Sequence, residues 1–253
     1  MSAHPFSTIR SGARALTVIG VAVVGALLPV TAHAAPTAQP ADLIRLNGAV
    51  HVVADGAALV VPLELRCSTP DSGAFVTVTQ VVRGRVVSGE GGAACTSDLT
   101  RVQVLATITY PPSRAFHAGS ALVNVTVGSV ALHRTVAVTP TDSAQSSSPG
   151  LVLPPSLTLQ AGGTAVRGKL RVRCSPDSFQ FQAVLMQVAA QNVHAISVYG
   201  PCPASSGLQS VPVWFFESSQ PGPAWHVGPA LLTAATGSGP GAFRVVNIET
   251  GSR

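Results

Sequence analysis

Two cysteine pairs with one spacing constrain this chain more than any other feature. Cys67 and Cys95 are 28 positions apart, and so are Cys174 and Cys202. The wording around the first cysteine of each pair repeats as well. Leu65-Arg66-Cys67-Ser68 leads into Pro70-Asp71-Ser72, and Val172-Arg173-Cys174-Ser175 leads into Pro176-Asp177-Ser178. Gln80-Val81 recurs as Gln187-Val188. The second half therefore reads as a copy of the first, displaced by 107 positions. Four cysteines allow three connectivities, and the repeat selects Cys67–Cys95 and Cys174–Cys202, each inside its own copy. Closing loops of this length stabilises each copy by about 3–4 kcal/mol through the entropy of the unfolded chain. A metal site would need Cys and His clustered at short spacing, and the sequence has no such cluster.

An even cysteine count fits export, and the N-terminus agrees. Arg10 and Arg14 precede an apolar run from Ala15 to Val30, which Pro29 breaks near its end, and Ala32-His33-Ala34 is a small-x-small cleavage site. Residues 1–34 are expected to be a secretory signal peptide, and the lack of a twin-arginine pair favours the general secretory route. The run is short for a membrane span of about 20 residues. No second run of this kind follows, so no membrane span is expected in the mature chain. Cleavage removes two arginines and no acid, leaving thirteen basic against ten acidic residues. That mild excess does not call for a nucleic-acid partner. With 10% charged and 46% hydrophobic residues, most of the chain is expected to fold.

The pattern within each copy is β throughout. Leu43 to Val53 reads as a first strand, and Ala54-Asp55-Gly56 as a turn. Leu59, Val61, Leu63, Leu65 and Cys67 then alternate with Val60, Pro62, Glu64 and Arg66, the period of a strand with one face inward. Pro62 marks an edge strand or a bulge. Phe75 to Val82 and Arg83 to Val87 continue the series. Ser88 to Ala94, with three glycines, reads as a loop. Val102, Val104, Ala106, Ile108 and Tyr110 alternate again, with Leu105 the exception on the polar face. Ala121 to Val127 and Val130 to Val138 form a closing hairpin. About seven strands with frequent turns and no helical period predict a β-sandwich. Residues 141–150, rich in Ser and Pro, read as a semi-flexible linker. The expected organisation is thus a signal peptide (1–34), one sandwich domain (41–140), the linker (141–150) and a second sandwich domain (151–253).

In the second copy Gly162-Gly163 replaces the Asp-Gly turn. Val211, Val213 and Phe215 align with Val104, Ala106 and Ile108. A second shared signature follows: Trp225-His226-Val227-Gly228-Pro229-Ala230-Leu231 matches Phe116-His117-Ala118-Gly119-Ser120-Ala121-Leu122 at a displacement of 109. Two residues have been inserted between the signatures, most easily at Gln220 to Pro223, where a surface loop tolerates them.

In general architecture this pattern resembles an immunoglobulin-like sandwich, although the cysteines are too close for the usual inter-sheet bridge and no Trp follows the first of them. It is more similar to an uncharacterised family of small secreted bacterial β-domains. Members carry an Arg-Cys at a strand end, a second Cys about thirty residues on, and an aromatic-x-x-Gly-x-Ala segment near the C-terminus. The matching residues are Arg66-Cys67, Cys95 and Phe116 to Ala121, and again Arg173-Cys174, Cys202 and Trp225 to Ala230. The resemblance covers most of the mature chain twice and implies no activity. The fold expected is therefore all-β, two tandem immunoglobulin-like β-sandwich domains, each with one intradomain disulfide.

Catalytic chemistry leaves little trace. The polar residues common to both copies are Arg66/Arg173, Asp71/Asp177, Gln80/Gln187 and His117/His226. Asp71 and Asp177 sit in Pro-Asp-Ser turns. The histidines have no repeated carboxylate beside them, and they read as structural or surface residues. No nucleophile elbow, phosphate loop or His-Glu-x-x-His motif is present. Neither a cofactor nor a metal is expected. Asn124-Val125-Thr126 fits a glycosylation triplet.

Two features set the second copy apart. Arg167, Lys169, Arg171 and Arg173 lie on the outward face of its cysteine-bearing strand, a stripe about 20 Å long. Val60, Pro62, Glu64 and Arg66 stand there in the first copy. Such charges can also block edge-to-edge pairing. Trp214 and Phe216 are expected to point outward too, in place of Thr107 and Thr109, and large exposed aromatics signal contact with a partner. These six residues form the candidate binding surface. The function expected is a secreted, non-catalytic binding or adhesion module, with an anionic envelope polymer or another extracellular protein as partner. The alternative is a secreted enzyme or enzyme inhibitor with a loop-borne site.

Overall fold

Leu59, Val61, Leu63 and Leu65 are at most 1% exposed, and the strand that carries them organises the first half of the protein. The computed structural model describes residues 41–69, 72–109, 114–174, 178–202, 207–216, 224–237 and 241–251. The expected signal peptide, Asp71, Asp177 and Gln220 to Pro223 lie outside them. The first half comprises β1 (Leu43–Leu46), β2 (Val50–Val53), β3 (Ala58–Arg66), β4 (Gly73–Val82), β5 (Arg85–Ala94), β6 (Thr100–Ile108), β7 (Gly119–Val127) and β8 (Val130–Pro140). The first strand foreseen is thus two, β1 and β2, which pair with successive stretches of β3.

The sandwich expected for this half is instead a closed barrel of seven strands. The order runs β3-β2-β8-β7-β4-β5-β6, and β6 pairs back onto β3 over eight positions, from Ala58↔Thr107 to Leu65↔Thr100. Closure removes both free edges. Pro62 accordingly does not mark an edge. Its carbonyl accepts from Asn47 N–H at 3.0 Å, between the end of β1 and the start of β2. A strand residue directs its N–H and C=O to the same side, so the missing donor of Pro62 falls at that break and costs no ladder bond.

The glycine-rich stretch Ser88 to Ala94 is strand β5 and not a loop, and the glycines are the reason. A Cβ on Gly89 would lie 2.8 Å from the Thr107 carbonyl oxygen and from the Phe116 ring, and one on Gly91 would run into the Leu105 carbonyl. The absence of side chains there lets β5 reach β6 and close the barrel at Gly89↔Ile108 and Glu90↔Thr107.

The second half contains β9 (Gln145–Ser146), β10 (Leu151–Val152), β11 (Ser156–Gln160), β12 (Ala165–Val172), β13 (Gln180–Ala189), β14 (Asn192–Pro201), β15 (Gln209–Phe216), β16 (Gly228–Thr236) and β17 (Ala242–Thr250). Its order, β10-β12-β11-β17-β16-β13-β14 with β15 on β12, follows that of the first half strand for strand. The seam differs. Val78↔Gly89 and Val76↔Gly91 correspond to Leu185↔Ile196 and Ala183↔Val198. Ile196 and Val198 carry the bulk that the glycines lack, and among the described residues β14 and β15 form no ladder pair. Elsewhere the exchange runs the other way. Gly168 in β12 makes room for Leu157, whereas the first half has Val61 and Val50, both buried, at these two positions.

Both disulfides foreseen are present, Cys67–Cys95 and Cys174–Cys202, with Cα atoms 5.7 and 5.8 Å apart. Each ties the strand after which its first cysteine falls, β3 or β12, to the far side of β6 or β15. In the second half the bridge therefore spans the unpaired seam.

The two sheets meet through unlike faces. Ala58 and Val60 point out of the first barrel yet are 0% and 3% exposed. They belong to one hydrophobic cluster with Met186, Val193, Leu231 and Phe243 of the second half. At the rim, Gln191 accepts from Arg83 Nη1 at 2.8 Å through its side chain and from Ala115 N–H at 2.9 Å through its carbonyl. Residues 141–150 are held along this junction: Thr141 N–H donates to Val52, Ala144 accepts from Val245 N–H, and β9 pairs with β17.

Candidate functional site

The strand pairs that flank the seam build the candidate face. In β12, Val166, Leu170 and Val172 are fully buried, and this places Arg167, Lys169, Arg171 and Arg173 on the solvent side, all exposed. β15 lies antiparallel to it, with Arg167↔Trp214, Lys169↔Pro212 and Arg171↔Ser210 opposed. Phe215 is fully buried and Val213 is 4% exposed, so Trp214 and Phe216 face out, at 37% and 61% exposure.

The aromatic pair is ordered by its own packing. The Trp214 and Phe216 rings are parallel to within 5°, with centroids 5.8 Å apart. The Arg167 guanidinium carbon lies 5.2 Å from the Trp214 ring centroid, in cation–π range. Among the described residues none of the four cations forms an ion pair; the pair present there is Arg101–Glu64, at 3.5 Å in the first half.

The pairing register revises the correspondence with the first half. Val166 opposes Phe215 as Leu59 opposes Ala106. The displacement is therefore already 109 at β15, and the two added residues precede this strand instead of lying at Gln220 to Pro223. Trp214 accordingly occupies the place of Leu105, the one apolar residue on that polar face, and Phe216 the place of Thr107.

A third exposed aromatic lies on β14, on the other side of the unpaired seam. Tyr199, on β14, is 63% exposed, and its hydroxyl accepts from Gln182 Nε2 at 3.0 Å. Phe75↔Gly92 and Gln182↔Tyr199 place it at the position of Gly92. The displacement of 107 pairs Tyr199 with Gly92, but a glycine-rich stretch read as a loop hides the correspondence.

In the first half, the same positions meet the second half of the protein. Gly92, Gln103, Leu105 and Thr107 line a cleft against Val184 and Thr233. The corresponding residues beyond the seam are Tyr199, Pro212, Trp214 and Phe216. Among the described residues, no acid, base or thiol lines that cleft. Among the described residues no group of three His, Cys, Asp or Glu could hold a metal ion, and no helix is long and apolar enough to cross a membrane.

The repeated glutamines and histidines form a structural strap. Gln80 is 4% exposed; its Nε2 donates to the His117 carbonyl at 2.8 Å, and its Oε1 accepts from His117 N–H at 2.9 Å. Gln187 treats His226 in the same way, at 2.9 and 3.2 Å. The strap holds the segment whose preceding aromatic, Phe116 or Trp225, is buried in the core. Gly56 and Gly163 receive the backbone N–H of these aromatics at 3.0 Å. Their φ values of 107° and 100°, with the aromatic's carbonyl in the way of any Cβ, make glycine necessary there. Asn124 faces outward mid-strand, its side chain 2.8 Å from His133 Nδ1. No family model matches the chain, and no curated protein matches it in sequence.

Proposed function

We propose that the protein consists of two diverged copies of one disulfide-stapled β-unit, exported by the segment 1–34, and that it acts outside the cell as a non-catalytic binding or adhesion module. Residues 41–140 and 151–253 are the two units on this reading, with 141–150 between them. The disulfides support an oxidising compartment. One observation carries the functional reading: the outer face of β3 at Ala58 and Val60 is covered by the second unit, whereas the matching face of β12 and β15 is left open, with Trp214 and Phe216 in place of Leu105 and Thr107 and Arg167 in place of Val60. Exposed aromatic and arginine clusters are what partner-binding surfaces are made of. The partner is a polymer of the cell envelope or another extracellular protein. Adsorption of the purified protein to envelope material of the producing cell tests the reading. Retention that falls with Trp214→Leu, at unchanged fold by circular dichroism, is the expected result. Retention that ignores this substitution, or no retention, rejects it.

A further inference from the structure

We infer that the open face takes a linear acidic polysaccharide, a proposal that rests on the reading of this face as the binding surface. Three features of the face define the ligand. The first is its charge. Arg167, Lys169 and Arg171 of β12, and Arg173 just past its end, recur at every second residue, about 6.6 Å apart along a strand, exposed and without an acidic partner among the described residues. An evenly spaced row of uncompensated cations is complementary to a ligand whose negative charge also repeats. The second is the aromatic rank. Trp214 and Phe216 stand parallel 5.8 Å apart, and Tyr199 belongs to the neighbouring edge. The two rings stack on each other with Arg167 over Trp214, and the ring surface that stays exposed, 37% of Trp214 and 61% of Phe216, is apolar area of the kind that the C–H face of a sugar ring packs against. The third is the shape. The residues lie on the outer surface of a sheet and across a seam between two strands, which suits an extended chain better than a small molecule in a pocket.

The divergence of the two halves points the same way. Gly92, Leu105 and Thr107 are compatible with a protein surface packed against them. Tyr199, Trp214 and Phe216 fill the same positions with bulk that remains in solvent, and Arg167 stands where Val60 is buried. Ile196 and Val198 stand where the first half has Gly89 and Gly91, β14 and β15 form no ladder pair among the described residues, and Tyr199 is exposed on β14. Single-stranded nucleic acid also combines stacking with charge. The two disulfides fit an oxidising compartment, outside which most cellular nucleic acid is held, and the test includes nucleic acid as the competing polyanion.

The test measures binding of the purified protein to four probes: polygalacturonate, its methyl ester, polyglutamate and oligo-deoxythymidine. The expected order is polygalacturonate first, with the ester weaker because the charge is gone and polyglutamate weaker because the rings are gone. Trp214→Leu and Tyr199→Gly, which install the first half's own residues, each weaken polygalacturonate binding about tenfold. Replacing Arg167, Lys169 and Arg171 by Ser flattens its dependence on salt between about 0.05 and 0.5 M. Equal or tighter binding of polyglutamate or oligo-deoxythymidine overturns the ligand class, as does indifference to esterification. If polygalacturonate fails while Trp214-dependent adsorption to envelope material persists, the ligand is wrong and the binding face stands. If both fail, the face is not a binding site. Phe216→Thr, at a more exposed position, serves as the second variant should Trp214→Leu not fold.

Discussion

Gly91 and Val198 hold the same register position in the two sheets, and the first sits in a closed seam while the second faces an open one. A side chain at residue 91 would have to occupy the space of the Leu105 carbonyl. The difference between a barrel and a split barrel is thus carried by two glycines, Gly89 and Gly91, against Ile196 and Val198.

Gly91→Val is expected to break the β5–β6 pairing and to destabilise the first half by about 1–3 kcal/mol, the usual cost of forcing bulk into a packed site. Hydrogen exchange checks it: the amides of residues 89 to 91 and 107 to 109 should lose protection, while those of β7 and β8 keep theirs. Unchanged protection would mean that the glycines are incidental to closure.

The strap makes a sharper distinction between the glutamines and the histidines they hold. Gln80→Leu leaves the N–H and C=O of His117 without their partner and should cost about 1–3 kcal/mol. His117→Ala removes an exposed side chain and should stay within about 0.5 kcal/mol. Urea denaturation of both variants measures this; a larger loss for the histidine would assign its side chain a role that the geometry does not.

The junction between the halves is directional, and a reciprocal pair of substitutions exposes it. Met186 is buried there, whereas Thr79, at the matching place in the first half, is only half-buried. Met186→Thr should cost about 2–3 kcal/mol, and Thr79→Met close to nothing. Thermal unfolding of the two variants decides the matter, since a symmetric response would mean that the halves do not lean on this face.

Asp42 provides the pH dependence. Its carboxylate accepts from the Ser68 backbone N–H at 2.6 Å, and this bond holds its pKa below the ordinary 3.8. A depressed folded-state pKa stabilises the protein above the unfolded value, and that contribution is lost as the pH falls below 3.8 toward the folded one. The melting temperature of Asp42→Asn should therefore lie slightly below that of the wild type at pH 5 and converge with it in stronger acid. A constant gap would mean that the carboxylate's charge is not what Ser68 recognises.

How far the sequence could be read depended on whether the deciding interaction was local. The alternation at Leu59 to Leu65 and the equal cysteine spacings are properties of short stretches, and they gave the strands and both disulfides. Barrel closure needs β6 to pair both with β3, some forty residues earlier, and with β5, and no period within these strands announces it. Gly89, Gly91 and Gly92 were misleading for a related reason. Glycine in a loop and glycine at a close approach of two backbones look the same until the second backbone is in place. The candidate face shows the same division. The alternation brought out Arg167 to Arg173, Trp214 and Phe216, because inward and outward follow from a period of two. Tyr199 depended on knowing that residues 192–201 are a strand, and the true counterparts of Trp214 and Phe216 depended on a register that only pairing reveals.

The unlike faces at the junction have a consequence for how many such units can be joined. A contact between the outer surface of β3 and β6 on one body and that of β13 and β16 on the next has a head and a tail, and nothing in its geometry ends the series. The surfaces at the two ends do. At the leading end, Thr77 and Thr79 take the places of Val184 and Met186, and Asn124 that of Thr233. At the trailing end, Arg167 takes the place of Val60. Neither surface carries the residues found at its counterpart in the junction, and polar residues in such places favour contact with water. The outward surfaces, with Thr77 and Thr79 on one and Arg167 on the other, thus differ from the surfaces that meet at the junction.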